Sequence, residues 1–213
     1  MNIAFLGDSI TFGYGLEHQK DRYSTVVCNR MNVMEENYGI TGTLVARAGM
    51  NRTDGKSFLD RLSLIKSADI AVVFGGTNDY FWSDAPIGTC NDGEDFFAGA
   101  VDYMCRWLKK EREGKATLFV TPYSHHGIGN FFGGETYQTR SEHDTTELNY
   151  NGHVLLDYVS ALVTICEKYG FPVLNLHECP EFDWKTMTMD GCHPNTKGHL
   201  WLADKIGSAI NQL

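Results

Sequence analysis

The sequence lacks the features that place a protein in a membrane or on nucleic acid. No stretch approaches the roughly 20 consecutive apolar residues of a membrane-spanning helix, and no basic region followed by an apolar segment stands at the N-terminus. Asp and Glu outnumber Lys and Arg by 27 to 18, which gives a formal net charge of -9. We therefore expect no membrane insertion and no nucleic-acid partner, whereas a small neutral or weakly charged molecule suits this charge.

Closely spaced cysteines are also missing. The six cysteines lie at positions 28, 90, 105, 166, 179 and 192, with no C-x-x-C pair and no Cys/His spacing typical of a zinc site. This pattern predicts reduced, mostly structural thiols. Together with the absent targeting segment it favours a cytoplasmic protein, although a chain whose leader had been removed would look the same.

Low-complexity tracts, internal repeats and Pro/Gly/Ser-rich linkers are absent too, so we predict one domain over residues 1–213. What is present is an alternation of apolar β-type runs with helical patterns, which is typical of an α/β fold: a parallel sheet covered by helices on both faces. The five predicted strands cover residues 2–6, 32–37, 69–74, 116–121 and 172–176. The clearest predicted helices cover 94–112, 145–169 and a last segment from Asn195, as N-cap, to Leu213.

Residue types that serine chemistry requires follow several of these strands. Ligands of such sheets bind outside the carboxyl ends of the strands, so loops at that edge are informative. A serine there needs a base that removes its proton and donors that receive the charge on the attacked oxygen. Four blocks supply these types: Gly7-Asp8-Ser9, Asn37 to Thr43, Gly75 to Tyr80, and Asp190 to Pro194. Each block alone also fits an ordinary turn or helix cap.

In this order, the four blocks resemble those of the SGNH hydrolases, also called GDSL esterases and lipases, over nearly the whole chain. The resemblance implies a flavodoxin-like three-layer α/β/α sandwich and a hydrolase that needs no cofactor. It implies that Ser9 is the nucleophile, His193 the base and Asp190 the residue that orients the base. It also implies an oxyanion hole formed by the backbone N–H groups of Ser9 and Gly42 and the side-chain amide of Asn78.

Two positions depart from the family pattern or compete within it. Ile10 replaces the leucine of the family's nickname, which leaves the chemistry untouched. Gly49 competes with Gly42, but only the segment from Asn37 to Thr43 preserves the family's Asn-x-Gly-x-Ser/Thr-Gly run. We therefore assign the oxyanion role to Gly42 and interpret Gly49 as a turn residue.

Two aspartates within these blocks have no part in the implied proton transfer. We expect Asp8 and Asp79 to brace their loops.

Aromatic residues after the third and fourth strands are candidates for a substrate-binding wall. These candidates are Tyr80, Phe81, Trp82, Tyr123 and His125, the last two in a segment over residues 122–134 that is rich in aromatics, histidines and glycines. Loops at strand ends commonly line ligand pockets, but packing of these side chains onto the sheet is equally consistent with the sequence.

The histidines near this segment are not expected to bind a metal ion. His125, His126 and His143 have no carboxylate at the spacing of a zinc site. We predict a small-molecule ester as the partner, with a short acyl chain and acetyl groups on carbohydrate as one candidate. Acyl transfer to an alcohol, thioester cleavage, and a flavodoxin-like binding module without activity are the alternatives.

Overall fold

A parallel five-stranded sheet forms the centre of the fold. The structure, a computed structural model, describes residues 1–47, 56–82, 85–125 and 145–213. Its strands are β1 (Asn2–Gly7), β2 (Met34–Gly39), β3 (Ile70–Phe74), β4 (Ala116–Val120) and β5 (Val173–Leu174). The order is β2-β1-β3-β4-β5, with every neighbouring pair parallel. The order therefore reverses between β1 and β3, which is where such sheets bind ligands.

All five strands lie within two residues of the predicted bounds at each end. The second strand begins and ends two residues later than predicted, because Asn32 adopts a left-handed conformation, with φ of 54°, and terminates the preceding helix. The fifth strand is shorter than predicted, since a 3-10 turn already begins at Leu176.

Helices connect and cover the strands. They are α1 (Ser9–Phe12), α2 (Tyr23–Met31), α3 (Thr77–Trp82), α4 (Phe97–Glu111), α5 (Leu155–Lys168), α6 (Trp184–Met187) and α7 (Thr196–Ile210), with 3-10 segments at Gln19–Asp21, Leu59–Ile65 and Leu176–Glu178. The predictions of α4 and α7 are confirmed. The Asn195 side chain caps α7 by accepting the N–H of Gly198 at 3.1 Å.

The helix predicted over 145–169 begins ten residues later than expected, at Leu155. Asn149 is responsible, because its Oδ1 accepts the backbone N–H groups of Asn151 and His153, each at 3.0 Å, and so forms a turn in place of helix. Leu148, which lies in this turn segment, is 64% exposed.

Each face of the sheet packs against its own layer of helices. Alternate residues of β1 point to opposite faces, as the pleat requires: Ala4 and Leu6 join the core beneath α4 and α5, whereas Ile3 and Phe5 join the core beneath α2 and α7. The predicted α/β/α arrangement is confirmed.

Within the described ranges, no helix has the length and apolar character needed to cross a membrane. In the same part of the chain, no group of three or more His, Cys, Asp or Glu residues is arranged to hold a metal ion. None of the six cysteines, all of which are described, forms a disulfide bond.

Candidate active site

The serine of the first block stands at the start of a short helix directly after β1. Asp8 caps α1, since its Oδ1 accepts the N–H of Ile10 at 2.9 Å. Gly39, at the end of β2, allows α1 to lie close to the sheet, because a Cβ there would stand 2.2 Å from the backbone nitrogen of Phe12. Ser9 is thereby held at the carboxyl edge of the sheet and is 6% exposed.

Side-chain hydrogen bonds fix the rest of this helix. The hydroxyls of Thr11 and Tyr23 lie 2.8 Å apart. Asn37, from the second block, donates through Nδ2 to the carbonyl of Thr11 at 2.8 Å and to the hydroxyl of Ser24 at 2.9 Å. The first two blocks therefore hold each other in place.

The loop before α7 brings a histidine and an aspartate to this serine. Nε2 of His193 lies 3.0 Å from Oγ of Ser9, although 184 positions separate them in the chain. Nδ1 of His193 lies 2.7 Å from Oδ2 of Asp190. Oδ1 of Asp190 accepts the N–H groups of Cys192 at 3.0 Å and His193 at 2.7 Å. The three predicted residues thus form one continuous hydrogen-bonded line.

Contacts with its surroundings fix the shape of this loop. The Tyr123 hydroxyl donates to the carbonyl of Cys192 at 2.7 Å. The N–H of Gly191 donates to Oγ1 of Thr188 at 2.9 Å, and that of Met189 donates to the carbonyl of His193 at 2.8 Å. The imidazole therefore sits on a tightly bonded turn.

The carboxyl of Asp190 is ionised at neutral pH. Its partial burial acts to raise its pKa, but the hydrogen bonds from the His193 side chain and from two backbone N–H groups outweigh burial and lower the pKa below its ordinary value. A carboxylate in this position favours the tautomer with the proton on Nδ1 of His193, in which Nε2 can accept a hydrogen bond from the hydroxyl of Ser9.

The second and third blocks contact each other. Gly42 has φ of 75°, a left-handed conformation that favours glycine. Asn78, in the first turn of α3, donates through Nδ2 to the carbonyl of Thr43 at 3.0 Å. An amide nitrogen carries two hydrogens, so this bond leaves one for another acceptor. Gly49, the competing glycine, lies outside the described residues.

The two remaining aspartates bind backbone groups, as predicted. Oδ2 and Oδ1 of Asp79 accept the N–H groups of Val45 at 2.9 Å and Ala46 at 3.0 Å, which ties α3 to the end of the second block. Burial raises the pKa of Asp79 to about 7 and that of Asp8 to about 6, despite the hydrogen bonds that favour the charged forms. Their expected bracing role is confirmed by these bonds.

The aromatic residues after β3 lie in the core. Tyr80 is 3% exposed, its ring lies edge-on to Tyr158, and its hydroxyl donates to the carbonyl of Glu147 at 2.9 Å. Phe81 is buried in the same core. Their burial is consistent with the packing alternative, and their contact with substrate stays a prediction. Trp82 ends α3, and its side chain is outside the described part of the structure.

The aromatic residues after β4 are buried as well. Tyr123 packs on Phe182 with ring centroids 4.0 Å apart, and His125, 2% exposed, lies edge-on to Tyr123. Tyr123 supports the His193 loop through its bond to the carbonyl of Cys192, and the contact of Tyr123 and His125 with substrate stays a prediction. His126, His143 and the rest of the segment to residue 134 fall outside the described residues.

Two residues that approach the site were missed in the sequence. The ring of Tyr14 lies 4.8 Å from the imidazole of His193, tilted by 41°, and its backbone N–H donates to the carbonyl of Ser9 at 2.9 Å. Arg61 is 1% exposed and bonds to the loops around Ser9. Its signal was available, because Arg61 occupies one helical face with Phe58, Leu62 and Ile65, all buried.

Comparison with known proteins identifies relatives over nearly the whole chain. The profile of the GDSL-like Lipase/Acylhydrolase family matches residues 5–201. Among curated proteins, none matches the sequence significantly.

Solved structures share the fold. A protein from Lactobacillus plantarum is 28% identical, with a TM-score of 0.79 over 99% of this chain and 96% of that one. A protein described as a possible lipase from Chitinophaga pinensis is 18% identical, with a TM-score of 0.75 over 99% and 98%. A carbohydrate acetylesterase family member from Sinorhizobium meliloti is 13% identical, with a TM-score of 0.71 over 99% and 97%.

Proposed function

The chain belongs to the GDSL-like lipase/acylhydrolase family and is a hydrolase, and from this premise we propose that it is a serine esterase for short-chain acyl esters. We propose that residues 1–213 form one catalytic domain, with Ser9 as nucleophile, His193 as base and Asp190 as the orienting carboxylate. The observation that carries the proposal is the hydrogen-bonded line from Oγ of Ser9 through both ring nitrogens of His193 to Oδ2 of Asp190.

Acylation begins with attack of Ser9 Oγ on the acyl carbon while Nε2 of His193 accepts the hydroxyl proton. Asp190 stabilises the resulting imidazolium. The tetrahedral oxyanion accepts hydrogen bonds from the N–H groups of Ser9 and Gly42 and from Nδ2 of Asn78, each donor contributing about 3 kcal/mol. The bond to the alcohol oxygen then breaks, and that oxygen takes the proton from Nε2.

Deacylation uses the same groups in reverse. Water loses a proton to Nε2 of His193 and attacks the acyl carbon, and the oxyanion returns to the same donors. The bond between the acyl carbon and Oγ of Ser9 breaks, Oγ recovers the proton, and the carboxylic acid departs.

Acetyl groups on carbohydrate are one substrate class for this site. The name of the Sinorhizobium meliloti protein is the reason to include acetylated sugars, although its likeness at 13% identity shows the fold alone. Transfer of the acyl group to a sugar hydroxyl and cleavage of thioesters would use the same acyl-enzyme, so both belong in the same assay.

Covalent labelling tests the nucleophile. Ser9 Oγ should displace fluoride from a fluorophosphonate and add its mass to the intact protein. We expect labelling in wild type, none in Ser9→Ala and much slower labelling in His193→Ala. Ser160→Ala is a matched control, because Ser160 lies exposed on α5 with its hydroxyl bonded to the carbonyl of Leu156. A wild-type protein that gains no mass would support a binding module and contradict the esterase.

A panel of p-nitrophenyl esters with increasing chain length, together with acetylated sugars, tests the substrate. We expect the highest kcat/KM with acetate. Activity that rises with chain length would contradict the short-chain assignment, and transfer products that dominate hydrolysis products in the presence of free sugar would indicate an acyltransferase.

A further inference from the structure

We propose that Arg61 is a positioning residue that holds the oxyanion donors in register with Ser9, an inference that rests on the proposed function. Arg61 lies in the 3-10 segment Leu59–Ile65 and is 1% exposed. Its guanidinium stands 5.0 Å from the ring centroid of Phe58. A cation buried this deeply lowers the stability of the fold unless its N–H groups are hydrogen-bonded. The acceptors of these N–H groups therefore indicate which parts of the structure Arg61 holds in place.

The acceptors of Arg61 belong to the turns that build the site. Nη1 donates to the carbonyl of Gly7 at 3.0 Å and to that of Tyr38, and Nη2 donates to Oγ1 of Thr43 at 2.8 Å. Nε donates to the carbonyl of Ser57 at 3.2 Å, which anchors the side chain to its own segment.

These acceptors stand next to the proposed oxyanion donors. Gly7 precedes the Asp8-Ser9 turn, and Thr43 directly follows Gly42. The carbonyl of Thr43 is also the acceptor for Nδ2 of Asn78. The Arg61 guanidinium thus bonds to Gly7, which leads into the turn of Ser9, and to Thr43. Thr43 directly follows Gly42, and its carbonyl binds the side chain of Asn78.

The oxyanion hole needs bonds that bridge its loops, because its three donors come from three separate loops. Transition-state stabilisation depends on donors held within about 0.5 Å of their productive positions. The guanidinium has a rigid fork of N–H groups, which a lysine ammonium lacks. Its permanent positive charge, buried beside these turns, also favours the negative charge that develops on the substrate oxygen.

Arg61→Lys tests the proposal, with Arg112→Lys as the matched control. Arg112 is likewise buried, at 3% exposed, and donates to the carbonyls of Ala68 at 2.9 Å and Ala116 at 2.8 Å. It also bonds to the carbonyl of Ile65, at the other end of the Arg61 segment. Its partners lie at the amino ends of β3 and β4, at the edge of the sheet opposite Ser9.

The readouts separate positioning from stability. We measure Tm, kcat and KM for p-nitrophenyl acetate per active site, and the inhibition constant of methylboronic acid, which forms a tetrahedral adduct on the serine oxygen. We expect both variants to lower Tm. Only Arg61→Lys should lower kcat, by about 10- to 100-fold, while KM stays within about threefold of the wild-type value. The same variant should raise the inhibition constant of the boronic acid by a similar factor.

The outcomes distinguish this inference from the proposed function. Equal kcat and inhibition constants in Arg61→Lys and Arg112→Lys would make Arg61 a structural residue only. A wild type that neither hydrolyses the ester nor binds the boronic acid would instead overturn the esterase itself.

If Arg61→Lys fails to fold, two substitutions of Thr43 test the same proposal. Thr43→Val removes the Oγ1 that accepts from Arg61 and donates to the carbonyl of Ile40, whereas Thr43→Ser keeps this hydroxyl. We expect Thr43→Val to raise the inhibition constant of the boronic acid and Thr43→Ser to keep it near the wild-type value. Equal inhibition constants in both variants and wild type would overturn the inference.

Discussion

Replacing Asp190 with asparagine tests whether this carboxylate sets the tautomer of His193. In the structure, Oδ1 of Asp190 accepts two backbone N–H groups, and Oδ2 lies 2.7 Å from Nδ1 of His193. Asparagine has one acceptor oxygen, and the two backbone groups can only donate, so we expect that oxygen to stay with them. The amide nitrogen then faces Nδ1, which must accept, and the imidazole proton moves to Nε2.

A histidine with its proton on Nε2 cannot take the proton of Ser9. The same exchange in a serine protease lowers kcat by about 10,000-fold, or about 5 kcal/mol of transition-state stabilisation. We expect a loss of this size because Ser9, His193 and Asp190 make the corresponding bonds. KM should change little, since neither nitrogen of His193 binds the acyl group in the ground state.

The variant should also lose stability in a pH-dependent way. The pKa of Asp190 is lower in the folded protein than in the unfolded chain, so its ionised form stabilises the fold above about pH 4. That contribution is lost as pH falls through the folded pKa. The difference in unfolding free energy between wild type and Asp190→Asn should therefore shrink below about pH 4.

Steady-state hydrolysis of p-nitrophenyl acetate, with active sites counted by fluorophosphonate labelling, measures the effect on kcat. Asp183→Asn is the matched control, because Asp183 lies seven residues earlier and only caps α6, accepting from the N–H of Lys185 at 3.2 Å and the hydroxyl of Thr186 at 2.9 Å. Asp183→Asn should keep the wild-type kcat. If Asp190→Asn retains more than about a tenth of wild-type kcat, the tautomer argument is refuted.

Three further predictions concern single side chains. Asn78→Ala should lower kcat by about 100- to 1,000-fold with little change in KM, measured with p-nitrophenyl acetate; a loss confined to KM would contradict its oxyanion role. Burial raises the pKa of Asp79 to about 7, above about 3.9 in the unfolded chain, so the free energy of unfolding falls as pH rises from about 4 to 7. Asp79→Asn should flatten this slope in urea unfolding, and an unchanged slope would speak against it. Asn195→Ala removes the cap that accepts from Gly198 and should cost about 1 kcal/mol of unfolding free energy without changing kcat.

The strand pattern of the sequence predicts the sheet because β1, β3 and β4 are buried on both faces and therefore read as apolar runs. The errors arise where a side chain binds the backbone locally. Asn149 builds a turn in a segment with helical spacing, and Asn32 ends α2 in a left-handed conformation inside a predicted strand. Periodicity does not register such competition.

The candidate triad was predictable because its chemistry needs particular side chains in a particular chain order. The role of Arg61 was not predictable, although its place on an apolar face indicated burial, since backbone carbonyls, which every sequence offers, are three of the four acceptors described for it. Tyr80 and Tyr123 were assigned to substrate because they follow strands. Their hydroxyls donate to the carbonyls of Glu147 and Cys192, contacts that only the folded chain reveals, and their contact with substrate stays a prediction.

The groups around Ser9 share a mode of support that explains why kcat, more than KM, should respond to their substitution. Asp8, Asp79, Arg61 and Tyr123 each bind backbone atoms of a turn at the carboxyl edge of the sheet. Two of them are buried carboxyls with raised pKa values, which lowers stability at neutral pH. Such a cost is consistent with fixed donors, because groups that are already oriented need no reorganisation when the oxyanion forms. Loosening any of these turns should therefore weaken binding of a tetrahedral mimic more than binding of the ester.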